Sequence, residues 1–326
     1  MPGRLKKMLS KCRTIGRVGA TAAKNFGVSL KNAVMPFRKS EERLLINDTS
    51  HHPSKARGLF SLLNEVVYLI SINSGKNIEI DYRHTEYNDT PDANAWTFCF
   101  RPVRNDDAHK RPYRYLFATP PYRNPLVVGK KRYRRILNQV IRDRILLQDS
   151  VQNKIEDFIA KNFKGRKVIG VHYRGADTLY PVVLRPPRDF RKASVEEYFN
   201  AIDKQLQNGF EAIFLATDDE EVFKKFKARY GDALFSYSTI RSSPQGAVYD
   251  WGLSRTAIPL MRTDKRLLCE EGIIDCILLS RCDYLIHGQS NLSCCARYFS
   301  PDLPAKNLEE KRYSLIQHLE NMVLYF

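Results

Sequence analysis

A short apolar run that ends in polar side chains places the strongest constraint on the fold of this chain. Residues 168–177 read Val-Ile-Gly-Val-His-Tyr-Arg-Gly-Ala-Asp, so the apolar run stops at His172, Arg174 and Asp177. Continuous apolar runs are typical of parallel strands buried on both faces. Open α/β sheets bind ligands at the carboxyl ends of such strands, so we expect the three side chains at a ligand site. The alternative is a strand that enters a solvated loop.

The residues after 150 alternate between strand and helix patterns. Apolar runs of strand length occur at 168–171, 212–216, 233–237 and 284–286, with helical spacing between them. This alternation predicts an α/β fold whose mostly parallel sheet is covered on both sides by helices. Polar segments follow three of these strands, and we expect them to converge at one edge of the sheet.

A loop–helix–strand unit is predicted in the first half of the chain. Residues 59–70 are apolar around much of a helix, and residues 78–81 alternate as a strand that ends in Asp81. Gly58 at the helix start allows a ligand to approach backbone N–H groups. Gly58, Asp81 and the nearby His84 are therefore candidate site residues on this side of the molecule.

The formal net charge of +17 indicates polyanionic surroundings. Residues 1–40 hold ten Lys or Arg and no acidic residue. They fit a basic amphipathic helix on an anionic membrane, a disordered tail or a mitochondrial transit peptide. Tyrosines interleave with a second basic cluster, which makes a nucleic-acid or polyanion-binding protein an alternative class. That cluster comprises Lys110, Arg111, Arg114, Arg123, Lys130, Lys131, Arg132, Arg134, Arg135, Arg142 and Arg144.

Cysteine usage and hydropathy bear on location. No apolar run approaches the roughly 18 residues that span a bilayer, and no apolar signal-peptide core is visible. The seven cysteines contain no C-x-x-C pair, which favours reduced thiols over a metal or disulfide framework. We therefore expect a cytoplasmic protein that contacts membranes peripherally, through its basic N-terminus.

Two features predict a nucleotide ligand. Residues 288–293 are small or polar and open a helix, where free N–H groups and the helix dipole favour an anion. With Arg174 they would bind a pyrophosphate from two sides. Asp275 lies in an apolar helix, where a carboxylate needs a partner, and carboxylates accept well from the N–H edge of guanine. The sequence contains no G-x-x-x-x-G-K-[ST] and no G-x-G-x-x-G, so it supports neither a P-loop nor a standard dinucleotide fold.

Taken in order, the motifs after residue 165 resemble the GDP-fucose-dependent fucosyltransferases of the α1,6 and nodulation type. The resemblance covers about residues 165–300. It implies the GT-B fold, with two facing Rossmann-like domains, and metal-independent transfer that inverts the anomeric centre. The motifs that carry it are His172-x-Arg174-x-x-Asp177, Val195-Glu-Glu-Tyr198, Phe214-Leu-Ala-Thr-Asp-Asp219, Asp275 followed by Leu279-Ser280 and Asp283-Tyr-Leu285, and Ser290-Asn291.

The resemblance also implies residue roles. Arg174 would bind the β-phosphate, His172 and Asp275 would hold guanine, and Ser290 and Asn291 would line the phosphate loop. The domains would be a basic extension (1–40), an acceptor-side α/β domain (41–150) and a nucleotide-sugar-binding Rossmann-like domain (151–326). Gly58, Asp81 and His84 then become acceptor-side candidates.

The sequence departs from this family at two positions. The relatives have two adjacent arginines after the histidine, whereas here Gly175 follows Arg174. They place a glutamate, the expected base, where this chain has Val182. Asp177 is therefore the leading candidate for the catalytic base or for positioning it. The alternatives are Asp189, Asp81 and His84.

The sequence thus predicts a glycosyltransferase that moves fucose from GDP-fucose to a glycan or glycolipid hydroxyl, with no metal or other cofactor. Arg174 and Asp177 would be its catalytic residues. The alternatives are transfer from another nucleotide sugar, a polyanion- or nucleic-acid-binding protein, and a catalytically degenerate lectin-like relative. Nucleic acid is the less favoured partner, because most of the basic residues lie outside the region that carries the motifs.

Overall fold

The computed structural model describes residues 43–47, 58–73, 76–83, 87, 90, 92–105, 131–175, 192–239, 241 and 264–309. The basic extension, five residues of the second basic cluster (Lys110, Arg111, Arg114, Arg123 and Lys130), His84, Asp177, Val182 and Asp189 lie outside these residues.

The first half of the chain contributes a small parallel sheet and its connecting helix. Strand β1 (Arg43–Asn47) pairs in parallel with β2 (Asn77–Asp81), and helix α1 (Leu59–Ile72) lies between them in the chain. Ile78 and Ile80 alternate with exposed neighbours, which is the pattern of a strand with one buried face. The helices α2 (Trp96–Cys99) and α3 (Lys131–Arg144) follow.

The second half builds a five-stranded sheet in which every neighbouring pair of strands is parallel. Its order is β5-β4-β3-β6-β7, with β3 (Val168–Tyr173) at the centre and all six of its residues buried. The remaining strands are β4 (Ala212–Thr217), β5 (Leu234–Phe235), β6 (Tyr284–His287) and β7 (Ala305–Asn307). The helices are α4 (Asp149–Asn162), α5 (Val195–Gln207), α6 (Glu220–Tyr230), α7 (Lys265–Ser280) and α8 (Asn291–Phe299).

Polar side chains cap the helices that begin after strands β3, β4 and β6. Ser194 and Glu197 form a reciprocal capping box at the start of α5. Asp219 accepts from Val222 N–H at the start of α6, and Ser290 accepts from Leu292 N–H at the start of α8. These caps fix the residue at which each helix begins.

One apolar core joins the two halves of the chain. Helix α7 packs against α2, α4 and α8, and α8 also packs against α1 and α3. The shared core contains Leu62 and Val66 from α1 together with Ile274 and Leu278 from α7, all 2% exposed or less. A second cluster lies between the sheet and helices α5 and α6. This shared core does not test the predicted domain boundary at residue 150, which stays a prediction.

The observed elements differ from expectation in three places. Strands β1 and β7 were not predicted, and β5 is only two residues long, whereas 233–237 was expected. The side chains of the second basic cluster are also not all exposed to solvent. Arg144 is 1% exposed and donates to Asn105 Oδ1 at 2.8 Å, and the buried Arg134 donates to the carbonyl of Pro301 at 3.0 Å.

The predicted α/β class with parallel sheets is confirmed. The six cysteines in the described residues are free thiols. Over the same part of the chain, no helix combines the length and apolarity required to cross a bilayer.

Candidate active site

The carboxyl ends of β3, β4 and β6 meet at one edge of the sheet, called here the carboxyl edge. In register, His172 lies opposite His287, and Tyr173 lies opposite Thr217. Arg174, Asp218 and Gly288 directly follow the three strands, so they lie at the same edge of the sheet. The predicted convergence of these polar segments follows directly from the parallel register.

His172 connects the end of β3 to the first turn of α8. Its Nδ1 lies 2.8 Å from the hydroxyl oxygen of Ser293, and both side chains are buried. Burial, reinforced by His287 and Arg174, lowers the pKa of His172 to about 3. The imidazole is therefore neutral near pH 7, and it offers one donor and one acceptor nitrogen.

A second neutral histidine lies on the neighbouring strand. Burial lowers the pKa of His287 to about 4, and its Nδ1 donates to the Gly288 carbonyl at 2.7 Å. Its buried Nε2 has no hydrogen-bond partner among the residues that the structure describes. This nitrogen is one of the few buried polar atoms at the carboxyl edge with unused hydrogen-bonding capacity.

The position after Arg174 has no room for a side chain. Arg174 is half-buried, and the N–H of Gly175 donates to Asp218 Oδ1. A Cβ at Gly175 would lie 2.6 Å from both Asp218 Oδ1 and Asp219 Cβ. The ammonium of Lys192 donates to the Gly175 carbonyl at 2.9 Å and lies 4.9 Å from the centre of the Tyr173 ring. The close approach of the β4 end thus accounts for a glycine directly after Arg174.

Ser290 and Asn291 form the start of α8. Ser290 is the N-cap, its Oγ accepts from Leu292 N–H at 3.1 Å, and Asn291 is the first helical residue. The N-terminal end of a helix carries a partial positive charge and N–H groups with no partner inside the helix. Because β3 and β6 are adjacent, this helix end and Arg174 lie at neighbouring strand ends.

Asp275 lies in a second polar cluster, beneath the end of β5. Helix α7 packs against β3 and β4, and it places Glu271 and Asp275 one turn apart. Glu271 accepts from Thr239 through N–H at 3.0 Å and hydroxyl at 2.7 Å. The Ser238 hydroxyl donates to Asp275 Oδ2. Hydrogen bonds from Ser238 and Thr239 to these two carboxylates thus hold the segment after β5 against α7.

One oxygen of Asp275 keeps its hydrogen-bonding capacity. Asp275 is 5% exposed, and its buried Oδ1 has no hydrogen-bond partner within the described segments. Burial raises the pKa of Asp275 to about 7, with Glu271 adding to the rise and Ser238 and Arg241 opposing it. The Arg241 guanidinium lies 3.9 Å from the centre of the Phe223 ring, and its buried Nε likewise lacks a described partner. A planar ligand with N–H donors would complement this cluster.

The candidates from the first half of the chain divide into two groups. Gly58 caps α1, whose start touches both site helices: a Cβ on Gly272 of α7 would lie 3.5 Å from Leu59, and the Cys295 thiol of α8 donates to Phe60. Asp81 is held by Arg83, which donates to it through Nε at 2.9 Å and Nη2 at 2.6 Å. No described contact joins Asp81 to the carboxyl edge.

The structure therefore brings together most of the predicted nucleotide-binding residues. His172 lies in β3 and Arg174 directly follows that strand. Ser290 and Asn291 start α8, which follows β6, and Asp275 lies on α7 in the second polar cluster. Sequence reasoning missed Ser238, Arg241 and Glu271. The i, i+4 spacing of Glu271 and Asp275 on one helix face was an available signal, whereas nothing local marked the residues after β5. In the described ranges, no three His, Cys, Asp or Glu side chains cluster so as to hold a metal ion.

Comparison with known proteins identifies the family. The structure is similar to the fucosyltransferase NodZ from Bradyrhizobium, with TM-scores of 0.51 and 0.50 for two crystal structures at 17% identity. The two alignments cover 84% and 83% of this chain and 96% and 97% of NodZ. A NodZ α-1,6-fucosyltransferase structure soaked with GDP-fucose aligns at 18% identity over 80% of this chain and 93% of that one, with a TM-score of 0.48. The two NodZ matches with TM-scores of 0.51 and 0.50 agree with the predicted GT-B class.

The family model described as "Alpha-(1,6)-fucosyltransferase N- and catalytic domains" matches residues 135–299, just over half of the chain, including His172, Arg174, Asp275, Ser290 and Asn291. This glycosyltransferase chain therefore belongs to the α-(1,6)-fucosyltransferase family.

Proposed function

We propose that this enzyme transfers fucose from GDP-fucose to a hydroxyl of a glycan or glycolipid. One observation carries the proposal: the hydrogen bond between His172 and Ser293 joins the strand that ends in Arg174 to the first turn of α8. A cation and a helix N-terminus at adjacent strand ends suit a diphosphate, and family membership supports fucose as the sugar.

Guanine recognition rests on the Asp275 cluster. The unused Oδ1 of Asp275 would accept from the guanine N1–H and N2–H₂ groups, and the ring would lie near Arg241. Uracil has only one such N–H, so it would leave the buried carboxylate less well satisfied. The neutral His172 would donate from Nε2 to the base or the diphosphate while Nδ1 accepts from Ser293.

The chemistry is a direct displacement at the anomeric carbon, which inverts that centre. The acceptor oxygen attacks, the bond between the sugar and the β-phosphate breaks, and GDP leaves with the electron pair. Arg174 and the α8 N-terminus would stabilise the charge that develops on the departing diphosphate, a role that metal ions fill in other enzymes. Asp177, which follows β3, is the proposed base for the acceptor proton.

Transfer from a different GDP-sugar is the second candidate. It is favoured by the packing at Gly175, where contact with Asp218 excludes the second arginine that the relatives carry. One cation fewer beside the diphosphate and sugar changes the surroundings of the anomeric centre. The acceptor, membrane contact through residues 1–40 and a cytoplasmic location remain proposals from the sequence.

A donor screen tests the proposal. The protein would be incubated in EDTA with GDP-fucose, GDP-mannose or UDP-glucose, and released nucleotide would be followed by NMR. We expect release of GDP from GDP-fucose only, accelerated by a glycan acceptor. Release from GDP-mannose alone would favour the second candidate. No release from any donor, or release that requires added Mg²⁺ or Mn²⁺, would contradict metal-independent fucosyl transfer.

A further inference from the structure

We infer that Glu309 is a positioning residue for the loop that binds the diphosphate, an inference that rests on the proposed function. Glu309 lies just past the carboxyl edge, two residues after β7. Its carboxylate joins two separate segments of the chain. Oε2 accepts from Gln289 N–H at 2.8 Å, and Oε1 accepts from Ala193 N–H at 3.2 Å.

The loop between β6 and α8 is shaped around this carboxylate. A Cβ on Gly288 would lie 2.6 Å from the carboxyl carbon of Glu309 and 2.7 Å from both of its oxygens. Any side chain at residue 288 would therefore displace the Glu309 carboxylate. Gly288 and Gln289 directly precede Ser290 and Asn291, so the carboxylate acts on the backbone that leads into the start of α8.

The backbone around Glu309 is itself tied to the edge of the sheet. Strand β7 pairs in parallel with β6, and Leu308 N–H continues this pairing by donating to the His287 carbonyl at 2.9 Å. The N–H of Glu309 donates to Asn307 Oδ1 at 2.9 Å. The carboxylate is thus presented from a fixed backbone, and its two acceptor bonds restrain the loop against β7.

The contact between Glu309 and Ala193 connects the β6–α8 loop to β3 as well. Ala193 directly precedes the capping box of α5, and Tyr198 on that helix donates to the His172 carbonyl at 3.2 Å. The backbone of Gly288 also hydrogen-bonds to the Tyr198 hydroxyl. Glu309 and Tyr198 therefore link the β6–α8 loop to α5, and α5 to the strand that carries Arg174.

This arrangement predicts that loss of the Glu309 carboxylate weakens binding of the diphosphate and leaves binding of the guanine base unchanged. Donors already held in place lose little conformational freedom when the ligand binds. Without the carboxylate, the β6–α8 loop would have to be ordered by the ligand, which weakens the diphosphate contacts. The Asp275 cluster lies on α7 and shares no described contact with Glu309, so guanosine affinity should be preserved.

The test measures the affinities of GDP and guanosine for the full chain and for Glu309→Gln and Glu309→Ala, by calorimetry or competition NMR. We expect GDP affinity to fall about three- to thirtyfold, as for other residues that act through a neighbour, with the larger loss in the Ala variant. Guanosine affinity should stay the same, so the GDP-to-guanosine affinity ratio should fall.

Asp283→Asn is the matched control. The Asp283 carboxylate accepts from Val168 N–H at 2.8 Å, so it makes the same kind of contact at the opposite end of the same strands. We expect it to lower the melting temperature without changing the affinity ratio.

The outcomes separate the two claims. A wild-type chain that does not bind GDP would overturn the proposed function. GDP binding that is unchanged in both Glu309 variants would overturn the positioning role alone. Tighter GDP binding in Glu309→Gln would also overturn it, since the carboxylate would then be competing with phosphate for Gln289 N–H. Should the Ala variant fail to fold, the isosteric Gln variant decides.

Discussion

The two ends of the five-stranded sheet differ in how deeply their polar side chains are buried. At the amino end, exposed groups make local contacts: Asp283 accepts from Val168 N–H, and the Lys167 ammonium lies 4.5 Å from the centre of the Phe210 ring. At the carboxyl edge, His172 and His287 are buried, and Gly175 and Gly288 allow contacts that a Cβ would prevent.

The difference supports the proposed ligand site at the carboxyl edge. At the carboxyl edge and in the adjoining Asp275 cluster, buried atoms such as His287 Nε2 and Asp275 Oδ1 have no partner in the described part of the chain. Unsatisfied buried polar groups reduce stability, and a bound ligand would complete the hydrogen bonds of these two atoms. Substitutions at the two ends of the sheet test this division.

Replacing Arg174 should have the largest effect. Arg174→Ala removes the cation at the end of β3 and should weaken GDP binding by about 2–5 kcal/mol, as for other desolvated charge pairs. Arg166→Ala is the control, because Arg166 is exposed at the amino end, 5.2 Å from the centre of the Phe235 ring. Calorimetric titration with GDP measures both variants. Equal losses in the two would mean that the ends of the sheet do not differ in function.

Replacing Asp275 should weaken GDP binding by about 1.5–3 kcal/mol, the range for hydrogen bonds to charged groups. The pKa of Asp275 is about 7, and the proposed contact with guanine requires the ionised form. In the wild type, GDP affinity should therefore rise as the pH increases through about 7 and then level off. Asp275→Asn should lack this rise. Affinities measured between pH 5.5 and 8.5 check it, and a pH profile shared by both proteins would exclude Asp275 as its source.

The contact at Gly175 predicts a stability effect. Gly175→Ala would place a methyl group 2.6 Å from Asp218 and Asp219, and it should lower the free energy of unfolding by about 1–3 kcal/mol. Gly272→Ala is the comparison, since its Cβ would meet Leu59 at an ordinary 3.5 Å within a helix. That variant should gain about 0.5–1 kcal/mol. Denaturant unfolding measures both, and an unaffected Gly175→Ala protein would show that the strand ends are not closely packed.

The smallest effect is expected at the amino end. Asp283→Asn weakens one carboxylate–amide contact and should lower the free energy of unfolding by about 1 kcal/mol. Turnover of GDP-fucose should be unchanged. A loss of activity that exceeds the loss of folded protein, measured by circular dichroism, would show that the amino end also takes part in catalysis.

The sequence predicted what depends on neighbouring residues and missed what depends on pairing partners. The apolar runs of β3 and β4 are long and wholly buried, so their residue types alone predicted buried parallel strands. Strand β7 is three residues long, and it is a strand only because β6 lies beside it. Glu309 was missed for the same reason. Its proposed role depends on hydrogen bonds from Gln289 and Ala193, which are distant from it in the sequence.

The candidate site follows the same rule. His172, Arg174 and Ser290 were found because each stands at the end of an element visible in the sequence. The partners of Asp275 were not, since Ser238 and Arg241 belong to a segment with no periodic pattern. The burial of Arg134 and Arg144 was also missed, because charge alone predicts a surface, and only the fold shows carbonyl and amide oxygens within reach.

Calorimetric titration with GDP and with UDP, both in EDTA, measures whether the site selects guanine as well as diphosphate. A diphosphate held by Arg174 and the start of α8, with guanine on Asp275, predicts that GDP binds at least about tenfold more tightly than UDP, since the guanine contacts exceed 1.4 kcal/mol. Equal affinity for the two nucleotides, or no binding of either, would contradict it.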